Sequence, residues 1–316
     1  MFSQIDIKMQ KPYPLKLSPA FKDYLWGGEK LATDFNFNTS EKLDPPVAEA
    51  WVLSTHPDGA SIVENGELAG KTFSEALTAF GTDPFAFPIL TKFIDAKSAL
   101  SIQVHPSDEY AYEHEGEQGK TEMWYVVDAE PGAFLYFGFK QEISKEQFKA
   151  SIENDTLCDL LNKVNVKKGD CFFIPSGTIH AIGAGLLIAE IQQNSNTTYR
   201  VYDYGRVGAD GKPRELHVDK AIDVTDLTPP PLSDFADGVL ATCEYFTVKR
   251  HNIDGVLTIS EDDGFMSLIV TEGNATICGI PCEKGASVYI PDGYGEVSID
   301  GKAEILSAAV SAASSV

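Results

Sequence analysis

Three separated stretches carry residue types that bind ions: Ser101-Ile-Gln-Val-His-Pro106, Gly119-Lys-Thr-Glu-Met-Trp124 and Gly169-Asp-Cys-Phe-Phe-Ile-Pro-Ser-Gly-Thr-Ile-His180. In an extended strand side chains alternate between faces, so Ser101, Gln103 and His105 share one face, and Lys120, Glu122 and Trp124 share another. The third stretch reads Gly, five residues, Pro-x-Gly, two residues, His. That pattern predicts a strand, a tight turn, and His180 at the start of the next strand. Two imidazoles, the Glu122 carboxylate and the Gln103 amide would then converge on one divalent cation, with Zn²⁺ the first expectation. A nitrogen and oxygen donor set also suits Fe²⁺, Mn²⁺ or Co²⁺. Three or four protein ligands leave a coordination position for water or substrate, as a catalytic site requires.

The elements that must position these residues read as a β-rich chain interrupted by helices. Ala48 to Ser54 is a strand closed by the turn His56-Pro-Asp-Gly59, and Ser61 to Glu64 reads as the returning strand of a hairpin. Phe73 to Phe80 is a short helix stopped by Gly81. Phe87 to Asp95 is an apolar strand that carries Lys92 among core residues, the pattern of a buried functional lysine. Ser107 caps one helical turn, Ser144-Lys-Glu-Gln147 has the form of a capping box, and Asp155 is expected to cap a second helix through Leu161. Strands return over Cys171 to Ile174, Leu186 to Gln193 and Thr198 to Tyr204.

Thr228-Pro-Pro-Pro-Leu-Ser-Asp234 is the expected boundary between residues 1–230, the metal-binding unit, and 231–316, a smaller one, because consecutive prolines continue neither helix nor sheet. Beyond it, Gly285-Ala-Ser-Val-Tyr-Ile-Pro-Asp-Gly-Tyr-Gly-Glu296 repeats the spacing of Gly169 to His180 with Glu296 in the place of the histidine. The second unit therefore reads as a copy of the first that has lost its ligands. Its tail, Ser307 to Val316, is rich in small residues and expected to fray. Short antiparallel strands with Gly/Pro turns predict a mainly β fold of two jelly-roll sandwiches, with a few helices inserted in the first.

Acidic residues number 47 against 25 basic, a formal charge of −22, with no basic stripe of the kind nucleic acid requires. Nucleic acid and anionic membranes are excluded as partners, and an anionic substrate must be held by a few local cations. The N-terminus has no charged segment followed by an apolar one, and no apolar run reaches membrane-spanning length, so a cytoplasmic protein is expected. The five cysteines are odd in number and scattered, which fits free thiols rather than a disulfide framework.

The Gly-x5-Pro-x-Gly-x2-His spacing resembles the second cupin motif. Gln103-Val-His105 followed by Glu122 resembles a first cupin motif whose leading histidine is glutamine and whose loop between ligands is lengthened. Both departures resemble the type I mannose-6-phosphate isomerases. Leu25-Trp-Gly-Gly28, the three ion-binding stretches and Tyr199-Arg-Val-Tyr-Asp-Tyr-Gly-Arg206 carry the resemblance, in the short bacterial form of that family. It implies two cupin-type domains, metal ligands at His105, Glu122 and His180 with Gln103 matching a further ligand, and a catalytic arginine at Arg200. It also implies a pocket lined by Lys92, Ser101, Lys120 and Glu190. The implied reaction interconverts mannose 6-phosphate and fructose 6-phosphate with zinc as the usual metal.

An aldose–ketose isomerase moves a proton between C1 and C2 through a cis-enediol. The base needs a pKa near neutrality, which burial gives to carboxylates by raising and to lysines by lowering. Lys120, on the face of Glu122, and Glu190, on the strand Leu186 to Gln193, are the candidates; a structural salt bridge is the competing reading of Glu190. Arg200 is expected to stabilise the enediolate or hold the phosphate. With no Gly-rich phosphate loop, Lys92, Ser101 and Arg200 are the expected anion ligands. An Fe²⁺ dioxygenase or oxalate-degrading bicupin is disfavoured by Gln103 and by Glu296. A sugar-binding cupin without activity would not need Lys120 and Arg200 beside a metal.

Overall fold

The computed structural model describes residues 10–35, 37, 46–207, 211–231, 235, 238–260 and 264–310. The chain is mainly β, and among the described residues its strands form three antiparallel sheets. A six-stranded sheet runs in the order Cys171–Ile174, Glu122–Ala129, Leu186–Gln193, Ile89–Ala96, Glu49–Leu53, Ala20–Lys22. A five-stranded sheet runs Tyr199–Tyr202, Ile102–Val104, His180–Ile182, Phe134–Phe139, Leu161–Asn165. The third sheet is built on the long strands Thr247–Ser260, Phe265–Ile277 and Glu296–Val310.

The six-stranded sheet is the middle layer. Along Glu122–Ala129, Met123, Tyr125 and Val127 enter a core shared with Phe265, Ile269, Tyr289 and Leu306 of the third sheet. Trp124 and Val126 face the other way, into a core with Leu135, Phe137 and Ile182 of the five-stranded sheet. Burial on both faces is why Ile89–Ala96 and Leu186–Gln193 are buried at every position although their pairing is antiparallel. The outer face of the five-stranded sheet is covered by the helices Lys145–Glu153, Leu157–Leu160 and Val218–Val224, through Phe148, Leu157 and Ala221. The layers are thus helices, sheet, sheet, sheet.

Several local expectations meet their structural counterparts. The helix Phe73–Phe80 has a capping box from Thr72 to Glu75 and ends at Gly81 with φ 84°. Ser144 and Gln147 form the expected capping box. The helix behind Ser107 runs longer than one turn, Asp108–His114. Asp155 is not a cap: it takes φ 59°, Thr156 occupies the N-cap, and the short helix Leu157–Leu160 gives way at Leu161 to a strand. Asp155 tolerates that left-handed conformation better than most residues do.

The hairpin expected over Ala48 to Glu64 does not form. Ser61 N donates to Ser54 O at 3.0 Å, but the chain then diverges, and Ile62–Val63 pairs with Leu15–Ser18. Glu49–Leu53 has no free edge to offer, since Ile89–Ala96 and Ala20–Lys22 flank it. Leu15–Ser18 pairs in turn with Ser287–Ile290, so both N-terminal segments complete the third sheet. Thr228–Pro231 is described and residues 232–234 of the expected boundary are not; Pro230 packs on Gly138, whose missing side chain and φ of 65° admit it. Ser307–Val310 belong to the strand Glu296–Val310, and residues 311–316 of the expected frayed tail lie outside the described residues, as do residues 1–9.

The two stretches of like spacing, Gly169 to His180 and Gly285 to Glu296, also share local geometry. Gly169 and Gly177 have φ of 88° and 86°, and their counterparts Gly285 and Gly293 have 94° and 68°. Each pair brackets a four-residue strand, Cys171–Ile174 or Ser287–Ile290. His180 opens one following strand and is buried, whereas Glu296 opens the other and is exposed.

Candidate metal centre and cleft

The site lies between the five- and six-stranded sheets and is built from rows of residues in strand register. On one sheet Arg200, Gln103 and His180 lie side by side, because Gln103 pairs with both of the others. On the facing sheet Lys92, Glu190 and Trp124 form one row, and Gln192 and Glu122 form the row beside it. Strand parity therefore delivers Glu122, Glu190 and Lys92 to the same interior as His105 and His180.

His105, Glu122 and His180 offer ligand atoms that all lie within 4.8 Å of one another, and all three residues are buried. His105 Nε2 is 3.5 Å from Glu122 Oε2, and His180 Nε2 is 3.4 Å from Glu122 Oε1. The far nitrogens are fixed by backbone: His105 Nδ1 lies 2.9 Å from Thr197 O and His180 Nδ1 2.8 Å from Thr178 O. A carbonyl oxygen only accepts, so each Nδ1 carries the proton and each Nε2 turns a lone pair toward Glu122. Burial lowers both imidazoles, His105 well below the usual value with help from Lys120 and His180, and His180 to about 4. Both are thereby kept neutral, the form that binds metal.

The donor set fits a divalent cation on a further observation. Among the described residues neither Glu122 oxygen finds a hydrogen-bond donor in good alignment, although the side chain is fully buried. Lys120 Nζ lies 2.9 Å from Oε2 as an ion pair. Burial and the charge on Glu190 push the Glu122 carboxyl up to about 7 against the pull of Lys120, which is the behaviour of a carboxylate short of positive charge. Gln103 Nε2 lies 3.5 Å from His105 Nε2 and 3.4 Å from His180 Nε2. A half-turn of this amide exchanges its nitrogen and oxygen and would add a fourth donor.

Beyond the trio the cleft has a volume of about 270 Å³ and is walled by Lys120, Glu190, Lys92, Ser101, Arg200 and Arg214, among others. Burial pushes Glu190 up, but Lys120 at 3.5 Å and Lys92 at 3.1 Å outweigh it and hold the carboxyl down at about 2. Trp124 Nε1 also donates to Glu190 at 2.8 Å. Lys92 is paired twice, with Glu190 and with Glu49 at 3.6 Å, and these outweigh its burial and hold its pKa up. Ser101 Oγ donates to Gln103 Oε1 at 3.3 Å.

Arg200 donates from Nη1 to Glu215 O at 2.8 Å, while its buried Nε has no partner among the described residues. Burial and the neighbouring charge of Arg214 bear against its own charge. Arg214 is a residue that sequence reasoning missed. It reaches the cleft from a Gly/Lys/Pro segment without periodicity, and Asp203 holds its guanidinium through two bonds, Nε at 2.7 Å and Nη2 at 2.5 Å. His217, given no role from sequence, accepts the Arg200 backbone N–H on Nδ1 at 3.2 Å. Nothing in its spacing marked it; the contact closes a loop of 17 residues.

The profile of the phosphomannose isomerase type I catalytic domain matches residues 15–130, and that of the mannose-6-phosphate isomerase cupin domain matches 237–310. Mannose-6-phosphate isomerase ManA of Bacillus subtilis is 40% identical over 312 residues, covering 93% of this chain and 98% of its own. The chain belongs to the type I phosphomannose isomerase family. A second member, from Streptococcus mutans, is 37% identical across 93% of this chain and 97% of its own. The crystal structure of the Bacillus subtilis mannose 6-phosphate isomerase superposes with a TM-score of 0.84 at 34% identity, covering 95% of this chain and all of that one. Among the described residues, no helix is long and apolar enough to cross a membrane.

Proposed function

We propose that this chain interconverts mannose 6-phosphate and fructose 6-phosphate by moving a proton between C1 and C2 through a cis-enediol, and that His105, Glu122, His180 and Gln103 hold a divalent metal, Zn²⁺ by their donor types. The observation that carries the reading is Lys120: a buried amine 2.9 Å from the carboxylate of the ligand trio and open to the same cleft. When bound, the metal supplies Lewis-acid stabilisation of negative charge on the sugar oxygens. Lys120 Nζ acts as base in its deprotonated form: its lone pair takes the proton from one carbon, and the ammonium so formed, the state that pairs with Glu122 and Glu190, returns it to the other. Glu190 is a poor base, since two lysines and Trp124 hold it ionised; its work is to fix Lys120 and Lys92. With the Gln103 amide turned so that its oxygen faces the ligands, its nitrogen takes the place of the oxygen beside Ser101 and would donate to Ser101 Oγ.

The phosphate falls to Arg200 and Arg214 rather than to Lys92, whose charge two carboxylates already balance. Arg200 lies beside Gln103 in register, and Asp203, which holds Arg214, is three residues farther along. Asn196 and Thr198 line the same cleft and offer it further hydrogen-bonding side chains. In this reading residues 1–230 form the catalytic unit and 231–316 a ligand-free copy. All five cysteines are free thiols, which fits a reducing cytoplasm.

A coupled assay of mannose 6-phosphate conversion, run with and without a chelator, tests the reaction and the metal together. Turnover that stops on chelation and returns with Zn²⁺ is expected. A protein that shows no chelator-sensitive turnover would sink the assignment.

A further inference from the structure

The turn between the strands Val239–Thr242 and Thr247–Ser260 belongs to the C-terminal unit, yet its Tyr245 reaches into the catalytic one. The Tyr245 hydroxyl donates to Asp108 Oδ2 at 2.6 Å. Asp108 Oδ1 accepts from Gly119 N at 2.7 Å and from Gln193 Nε2 at 2.9 Å. Gln193 Oε1 accepts from Thr121 N at 2.8 Å, and Gln193 N donates to Thr121 O at 3.0 Å. Between them, Lys120 N donates to Pro106 O at 3.0 Å. The three consecutive amides of Gly119, Lys120 and Thr121 are therefore all committed, one to Asp108 itself and one to Gln193, which Asp108 orients. Gly119 leaves no room for a second seat, since a Cβ there would lie 2.8 Å from Pro106 O and nearer still to the Asp108 backbone.

We infer that Tyr245 is a positioning residue: acting through Asp108 and Gln193, it fixes the loop Gly119–Thr121 and so aims the Lys120 amine at Glu122 and the substrate. A phenol bound to an ionised carboxylate is one of the stronger hydrogen bonds available to a side chain, which suits a link between two units. Lys120 stands just ahead of the strand Glu122–Ala129 and has no ladder bonds of its own. Its backbone position thus rests on the bonds at Pro106 O and Thr121 O together with this side-chain network, whereas Glu122 is held by pairing on both sides with Ile174 and Gln192. The C-terminal copy, without ligands itself, contributes a contact on which the catalytic loop of the other copy depends.

The inference rests on the reading of Lys120 as the proton carrier, and its test keeps the two separable. In the full-length, metal-loaded chain, Tyr245→Phe should lower kcat for mannose 6-phosphate roughly tenfold, given the sensitivity of catalysis to misplacements near 1 Å. KM and bound metal should stay within about twofold. In the metal-free chain the same substitution should speed amide hydrogen exchange in the segment 117–124 by about tenfold, a readout of local opening. Asp108→Ala should act in the same direction, and the double variant should be no worse than Asp108→Ala alone, because the two act in series. Unchanged kcat and exchange in Tyr245→Phe, a loss of activity that tracks loss of metal, or additive effects in the double variant would each overturn the inference. A wild-type chain without turnover would overturn the isomerase reading instead, while the exchange measurement would still decide whether Tyr245 holds the loop.

Discussion

Lys120 and Arg214 are both cations at one cleft, and their surroundings assign them different work. Lys120 is buried against Glu122 and Glu190, so replacing it with methionine removes the amine while keeping most of the volume. Lys120→Met should cost about 10²–10⁴ in kcat, the usual value of a positioned acid–base group, with metal content near wild type by elemental analysis. Metal lost in step with activity would make the lysine a support for Glu122. Arg214 is half-exposed at the outer end, and Asp203 fixes its fork. Arg214→Met should raise KM for mannose 6-phosphate about tenfold or more, the loss of a charge-assisted pair, and leave kcat within a few-fold. Turnover of unphosphorylated mannose should be unaffected by the same substitution. An equal loss on both sugars would show that Arg214 supports the cleft without touching phosphate.

The turn that delivers His180 and its counterpart in the second unit form a natural experiment at the level of the element. Gly177 has φ 86°, and a Cβ there would lie 3.1 Å from Val224 O; Gly293 has φ 68° with open space around it. Both substitutions by alanine should cost about 1–2 kcal/mol in backbone strain. Gly177→Ala should in addition weaken Zn²⁺ binding, read by competition with a chromophoric chelator, because His180 is anchored by Thr178 O inside that turn. Gly293→Ala should leave metal affinity alone. The same turn shows why so much of this site was legible in the sequence. Gly, Pro and His at fixed offsets encode local geometry, and strand parity places Gln103, His105 and Glu122 without knowledge of the fold. Register between distant strands has no such code: the pairing of Ile62–Val63 with Leu15–Ser18 depends on which sheet edges are already taken. Arg214, His217 and Tyr245 escaped for the same reason, since each acts through a contact that only tertiary packing creates. Lys92 is buried, as its place in an apolar strand predicts, but its two carboxylate partners stand on other strands, so its own segment does not reveal that its charge is already balanced.

Across the whole molecule, proton binding should make stability fall on acidification in two stages. His56, His217 and His251 have pKa values lowered, in each case chiefly by burial. The unfolded chain therefore takes up protons below about pH 6.5 that the folded chain refuses, and stability present above that pH is lost as pH falls toward the folded values. Among carboxylates, burial pushes Asp203 up but Arg214 and Arg206 outweigh it, Lys220 and Tyr199 hold Glu115 down, and Lys168 holds Glu272 down. Their contribution is present above about pH 4 and lost below it. Relief of self-repulsion in a chain of charge −22 acts in the opposite direction. That relief requires protonation of ordinary carboxylates, which begins only near pH 5; between about pH 6.5 and 5 the buried Glu122, raised to about 7 in the metal-free chain, opposes the fall, but His105 and His180, also lowered by burial, join the other three histidines against it. Thermal denaturation of the metal-free chain, at fixed chelator and ionic strength, should show Tm nearly flat from pH 8 to 7 and falling by several degrees between pH 6.5 and 5. His251→Gln removes one titrating group while keeping a hydrogen-bonding side chain next to Ser307, and should make that fall shallower. A Tm that rises between pH 7 and 5 would mean that charge repulsion across the acidic surface outweighs the buried imidazoles.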